Sequence, residues 1–359
     1  MASIAVIIGT RPEIIRFSPI IRALESRNAD FFVIHTGQHY DYSMDGQFFS
    51  ELGLSPPYKN LNVGSASHAT QTARVLEGCE SVFKERKPSL VLVYGDTNST
   101  MGATLAAAKL GIPVAHVEAG GRSYDMTMPE EINRVCVDHV SSLLFPPDKI
   151  SETNLLNEGI PKERIFTYGN PLVGACMDAL EVAKRSSRIT ERLGLDGKSY
   201  SVLTLHRADN VDNDDKLRAL LKSVQSIGER IIFPAHPRTR KNMERLGMGK
   251  ELTNFTITEP LGYMDFIRLV SSADTVLTDS GGVQVESNVL GVPCIVLRNI
   301  TEWRWFVDIG MSFLAQPSNL QEIFRKVGLV ERRRVLDKDD SAELIAEKCT
   351  DFAKRVDRI

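Results

Sequence analysis

No apolar run among the 359 residues approaches the roughly 20 needed to cross a membrane as a helix, which excludes that class of protein. The five cysteines, Cys79, Cys136, Cys176, Cys294 and Cys349, are scattered, with no CxxC pair and no metal-ligand spacing. They are expected to be reduced, mostly buried thiols, and no metal site is expected. A large excess of either charge is also lacking. The net charge of -3 offers no broad attraction for nucleic acid or an acidic membrane surface. The opening MASIAVIIGTRPE lacks a basic region ahead of its apolar run, and Arg11 soon interrupts it. It therefore reads as a buried strand and not as a secretory signal, so a cytoplasmic protein is expected. There is no low-complexity segment, no fixed-period repeat, and no GxGxxG or Walker spacing.

What is present is the composition of a globular protein, 42% hydrophobic and 25% charged, in a chain long enough for two domains. Short β-rich apolar runs alternate with longer helix-like segments, the pattern of a doubly wound α/β fold. Strands are expected near Ile4–Ile8, Phe31–His35, Leu90–Tyr94, Pro113–Val117, Leu143–Phe145 and Arg164–Thr167. The pattern restarts at Val202–Leu205, Ile231–Phe233, Phe255–Ile257, Thr275–Leu277 and Cys294–Leu297. Between the sets lie a helix near Leu172–Val182 and a polar, basic stretch, Lys184–Lys198. The expected division is a Rossmann-like domain over 1–169 and a second over 170–340. A closing helix over 341–359, with Leu344, Ile345, Cys349 and Phe352 at helical spacing, is expected to return to the first domain.

The polar residues fall at telling places on this map. Arg11 follows the first strand, Asp96 the third and Glu118 the fourth; His206 and Ser280 follow the first and fourth strands of the second half. Ligands of open α/β sheets bind beyond the carboxyl ends of strands, so one shared site explains these positions more economically than five separate local roles. In VAHVEAGGRSYDMTMPEEINR an acid, Glu118, ends a buried-looking strand, which is unfavourable unless the carboxylate is paired or used. Glu130 and Glu131 follow Pro129, where the plain alternative is that they favour the start of a helix.

In VLTDSGGVQVESNVLGVP, Gly281 and Gly282 let a ligand approach the backbone at a helix start, whose unpaired amides suit a phosphate. Ser280 can cap that helix or donate to a phosphate oxygen, and Glu286 can accept from ribose hydroxyls. In GTRPE, Arg11 can meet a diphosphate with its planar fork, and Arg16 lies nearby on the helix. Asp96 in YGDTNST can equally cap the following helix, and a lone histidine such as His206 is more often structural than catalytic.

Together, GTRPEIIR, YGDTNST, HVEAGGRS, MPEEINR, LTLHRADN, HPRT, EPLGY and TDSGGVQ resemble, in order and across most of the chain, the non-hydrolysing UDP-N-acetylglucosamine 2-epimerases. The resemblance implies two Rossmann-like domains in the glycosyltransferase-B arrangement, with a UDP-sugar in the interdomain cleft. It implies interconversion of UDP-GlcNAc and UDP-ManNAc without an added cofactor, usually in a homodimer, with UDP-GlcNAc as an allosteric activator of bacterial members. By motif matching, Asp96, Glu118 and Glu130 resemble the acid/base and charge-stabilising set. Arg11, His206, Ser280 and Gly281 resemble the diphosphate clamp, with His206 counted among the catalytic residues. Arg16, Arg122, Gly282 and Arg304 are assigned to substrate binding, Glu286 to the ribose, and Phe266 to the uracil ring.

The chain departs from the family pattern at four places. Arg16 stands where lysine is usual, Val285 replaces the first of two glutamates, and Trp303 of TEWRW stands where TERPE carries arginine. A glycine-rich NPYGDG motif before the last helix is absent, with VLDKDDS in its region. The alternatives are a 2-epimerase of a modified UDP-sugar such as UDP-2,3-diacetamido-glucuronic acid, a transferase of the same architecture, a non-catalytic UDP-sugar binder, and a hydrolysing relative that releases free ManNAc.

Overall fold

The computed structural model describes residues 3–37, 49, 52–334 and 340–357, with the side chains of Arg11 and Lys250 outside that description. The chain divides into two compact units, Met1–Ala175 with Lys338–Ile359, and Cys176–Asp337.

In the first unit the described strands are β1 (Ile4–Ile8), β2 (Phe31–His35), β3 (Lys59–Asn60), β4 (Leu90–Tyr94), β5 (Val114–Val117) and β6 (Leu143–Phe145). They form a parallel sheet in the order β3-β2-β1-β4-β5-β6. Strand periodicity sorts their side chains to two covered faces. Ile4, Val6, Ile8, Leu90, Leu92 and Tyr94 enter one core, and Ala5, Ile7, Val91 and Val93 the other. Both faces are apolar because helices lie on both, which is why these strands read as continuous hydrophobic runs.

The helix Arg11–Ser26 starts at Thr10 with Pro12 in its first turn. It continues through Pro19, which has no N–H to give to Ile15; the Ser18 hydroxyl donates to that carbonyl instead, at 2.9 Å. The closing helix Ser341–Val356 supplies Ala342, Ile345, Ala346, Cys349 and Ala353 to the same core as Ile14, Phe17, Ile21 and Leu24. An Arg27–Glu347 ion pair of 2.7 Å lies at the edge of this packing.

The second unit contains β7 (Ser201–Thr204), β8 (Ile231–Pro234), β9 (Phe255–Thr258), β10 (Thr275–Thr278), β11 (Cys294–Val296) and β12 (Ser312–Leu314). Its sheet is also parallel, in the order β12-β11-β10-β7-β8-β9. Counted from β7 and read from the other edge, this is the order of the first sheet, 3-2-1-4-5-6. Both units are therefore Rossmann-like, with strand order reversing between β1 and β4 and between β7 and β10.

The strand expected at Arg164–Thr167 does not form. Pro161 leads instead into a 3-10 turn over Lys162–Arg164, and Ile165 makes only an isolated bridge to Leu144. Two short edge strands, β3 and β12, were not expected from the sequence: β3 (Lys59–Asn60) has no apolar residue, and β12 has only Phe313 and Leu314. Among the described residues, no helix is long and apolar enough to cross a membrane.

Candidate active site

The first unit gathers its polar groups at the carboxyl ends of β1, β4 and β5. Beyond β1, the buried Glu13 accepts hydrogen bonds from the backbone amides of Gly9 and Thr10 and, at 2.8 Å, from the Thr97 hydroxyl. One carboxylate thus ties the turn after β1 to the turn after β4. Burial pushes its pKa up to about 7, against the lowering effect of those donors. Gly9 is required here because a Cβ would collide with the Ser99 side chain.

Beyond β5 the backbone turns sharply at Glu118, whose φ of 66° is left-handed, a conformation uncommon for a residue with a side chain. Its buried carboxylate lies 3.4 Å from Arg16 Nη1 and 3.1 Å from Arg134 Nη2. Arg134 Nη2 also donates to Asp96, and its Nη1 donates to the Glu118 carbonyl. A single guanidinium therefore spans the two acids that follow β4 and β5. Burial alone would favour neutral arginines, but the Asp96 and Glu118 carboxylates hold Arg134 charged, and Glu118 does the same for Arg16.

The helix Pro129–Val140 presents Glu131, Asn133, Arg134, Val137 and Asp138 inward. Asn133 donates to the Asp96 carbonyl at 2.9 Å, and Glu131 accepts from the Ser123 and Tyr124 amides at 2.8 and 2.9 Å. Asp138 meets His116 Nδ1 at 2.7 Å, Arg122 Nη2 at 2.7 Å and the Gly120 amide at 3.0 Å. Burial would raise the Asp138 pKa, but His116 and Arg122 hold it below the usual carboxylate range. Arg122 also grips Glu158 with Nε and Nη2, at 2.7 and 2.8 Å, and reaches the Gly121 carbonyl at 2.7 Å.

In the second unit, Asp279 after β10 accepts from the amides of His206 and Arg207 and from Asn210 Nδ2, each at 3.1 Å. The imidazole Nδ1 of His206 is 3.2 Å from the same carboxylate. Burial would raise the Asp279 pKa, but these donors and His206 keep it low. Asp279 thus fixes the loop that carries the exposed His206. Ser280 caps the helix Gly281–Val289 by accepting from the Val283 amide at 3.4 Å. A Cβ at Gly281 would collide with the Glu302 carboxylate and lie 3.1 Å from the Trp303 indole nitrogen. Glu302 is held by Arg298 at 2.8 Å and by Arg207 at 3.9 Å.

A family model described as UDP-N-acetylglucosamine 2-epimerase matches residues 22–348. The chain belongs to this family. A relative from Methanocaldococcus jannaschii named UDP-N-acetylglucosamine 2-epimerase is 44% identical over 340 residues, covering 92% of this chain and 93% of its own length. A Pseudomonas aeruginosa relative named UDP-2,3-diacetamido-2,3-dideoxy-D-glucuronate 2-epimerase is 40% identical over 318 residues, 87% of each chain. The crystal structure of the Methanocaldococcus jannaschii UDP-GlcNAc 2-epimerase in complex with UDP-GlcNAc and UDP matches with a TM-score of 0.91 at 43% identity. It covers 97% of this chain and 99% of its own.

Of the residues expected for an epimerase site, Asp96, Glu118 and Arg16 lie together in the first unit around Arg134. Glu130 is exposed in the first turn of its helix. Arg11 opens the helix Arg11–Ser26, and its side chain lies outside the described residues. Arg122 is buried with Nε, Nη1 and Nη2 each directed at a protein acceptor. In the second unit His206, Ser280, Gly281 and Gly282 stand at the carboxyl ends of β7 and β10. Glu286 is buried one turn into the same helix, and Phe266 is half-buried on the helix Tyr263–Ser272. Trp303 is buried beside Gly281, whereas Arg304 is exposed at the start of the short helix Arg304–Asp308.

Sequence reasoning assigned no role to Glu13, His116, Arg134 or Asp138, nor to the group of Arg207, Arg298 and Glu302 beside the glycine pair. Arg134 and Asp138 did carry a signal, being charged residues one turn apart on an amphipathic helix that starts at the epimerase acids.

Proposed function

We propose that this epimerase interconverts UDP-GlcNAc and UDP-ManNAc. The observation that carries the reading is the pair Asp96 and Glu118, two acids from neighbouring strand ends held by one guanidinium in a chain of this family. In the forward direction a base takes the proton from sugar C2, and the C2–H electrons form a C1=C2 double bond. The C1–O bond to the diphosphate breaks with its electrons, giving 2-acetamidoglucal and UDP. Return of UDP to C1, with protonation of C2 on the opposite face, completes the inversion. Proton transfers on two faces require more than one acid/base group, and we assign Asp96, Glu118 and Glu130 to that set.

The leaving UDP carries negative charge that cations and helix-start amides stabilise. We assign this to Arg11, Arg16, His206, Ser280, Gly281 and Gly282, with Glu286 at the ribose, Phe266 beside the uracil and Arg304 also in substrate binding. Arg122 is assigned to holding Asp138 and Glu158 rather than to touching substrate, because its donors face protein acceptors. The same reading carries a homodimer and UDP-GlcNAc as activator, checked by light scattering and by curvature of rate against substrate concentration.

The substrate is tested by incubating the purified protein with UDP-GlcNAc and, separately, with UDP-2,3-diacetamido-glucuronate, and identifying products by proton NMR. UDP-ManNAc formed at the higher kcat/KM supports the assignment. Turnover of the acidic sugar alone would transfer it to the chemistry of the Pseudomonas relative.

A further inference from the structure

His116 is fully buried on β5, two residues before Glu118, and both of its ring nitrogens are engaged. Nδ1 lies 2.7 Å from Asp138 Oδ1, and Nε2 lies 2.8 Å from the Gly95 carbonyl oxygen. A carbonyl oxygen only accepts. The Asp138 carboxyl receives Arg122 Nη2 at 2.7 Å and the Gly120 amide at 3.0 Å on its other oxygen, a donor set that favours the carboxylate. Both neighbours of the imidazole are therefore acceptors. A neutral ring would turn a lone pair toward one of them at hydrogen-bond distance, an unfavourable contact for a fully buried group.

We propose that His116 is a positioning residue held as a doubly protonated imidazolium, clamping the turn that presents Asp96 to the helix that presents Arg134. The geometry of the clamp is continuous. Gly95 has a left-handed φ of 70° and immediately precedes Asp96. Its amide donates to the Val117 carbonyl at 3.0 Å while its carbonyl accepts from His116, so both backbone groups of the turn are tied to β5. Asp138 stands one helical turn beyond Arg134, so the imidazolium also fixes the helix whose guanidinium binds Asp96 and Glu118.

The charges around His116 suit a cation. Asp138 faces it from the helix, Glu118 stands in the turn just beyond its strand, and Arg122 and Arg134 lie beyond these acids, with Glu158 neutralising Arg122. The clamp rests on the assignment of Asp96 and Glu118 to catalysis, but the protonation state does not.

Neutron diffraction from deuterated crystals of the wild-type chain grown at about pH 7 reads the state directly. Deuterons on both Nδ1 and Nε2 are expected; a deuteron on one nitrogen alone overturns the imidazolium, whether or not the protein is active. In H116Q a single amide cannot span both acceptors. With UDP-GlcNAc as substrate, kcat is expected to fall roughly 10–100-fold with KM little changed, the pattern for a group that orients reacting side chains. A folded H116Q with wild-type kcat overturns the positioning role. If H116Q does not fold, H116N is measured with the same two outcomes. Absence of C2 exchange in the wild type, with both deuterons present, would instead count against the proposed reaction alone.

Discussion

Arg134 joins Asp96 to Glu118, and its planar fork is what allows one side chain to serve both acids and the Glu118 carbonyl. Lysine would keep the charge but not the fork. Arg134→Lys is therefore expected to lower kcat roughly 10–100-fold while leaving UDP affinity near wild type, as read by steady-state kinetics and calorimetry. A second residue-scale consequence concerns Glu13. Its pKa is raised by burial from 4.5 to about 7, so between these values the folded state holds the proton more tightly than the unfolded chain. Its stability contribution is fully present below 4.5 and is lost as pH rises through about 7. Glu13→Gln should remove on the order of 3 kcal/mol of pH-dependent change across that window, measured by urea unfolding at a series of pH values. At this scale Asp96 and Glu118 were legible because acids stood just past apolar strands. The His116–Asp138 pair was not, because its two residues, 22 apart in sequence, acquire meaning only when β5 and the helix Pro129–Val140 come into contact.

The helix Pro129–Val140 acts as the back wall of the first unit's acid cluster, and Asp138 is its anchor. Replacing this carboxylate by an amide leaves Arg122 and His116 without their shared counter-charge in a fully buried setting. Asp138→Asn is therefore expected to cost about 3–5 kcal/mol of stability, with a lower melting temperature in calorimetry. The turn after β5 is equally exacting. Gly120 has φ of 79°, and a Cβ there would collide with the Ser151 carbonyl. Elements of this kind were mostly legible: β1, β2, β4 and β6 lie where the apolar runs place them, as does the helix Ser341–Val356. The failures have physical causes. Arg164–Thr167 has strand-like residues but follows a proline-led turn, and at the sheet edges β3 lacks apolar residues while β12 is only three residues long.

Across the whole molecule, two sheets of the same strand order each reverse at a point where the conspicuous polar residues accumulate, acids in the first unit and the Ser280 glycine turn in the second. The alternation of runs made this repetition readable. What it could not convey was the identity of groups inserted between the motifs, such as Glu302 and Arg298 packed beside Gly281, because no periodicity marks them. The closing helix belongs to the first unit's core, where Ile345 is fully buried. Ile345→Ala should cost that unit about 2–5 kcal/mol while leaving the transition of Cys176–Asp337 in place, which calorimetry can resolve.

C2 proton chemistry carried by acids at the strand ends of the first unit is open to one decisive comparison in deuterium oxide. UDP-GlcNAc is incubated with the wild type and with Glu118→Gln, and the C2 hydrogen is followed by proton NMR. Deuterium at C2 and UDP-ManNAc are expected with the wild type, and neither with the variant, although the variant still binds UDP. Exchange at the wild-type rate in Glu118→Gln would remove Glu118 from the C2 chemistry.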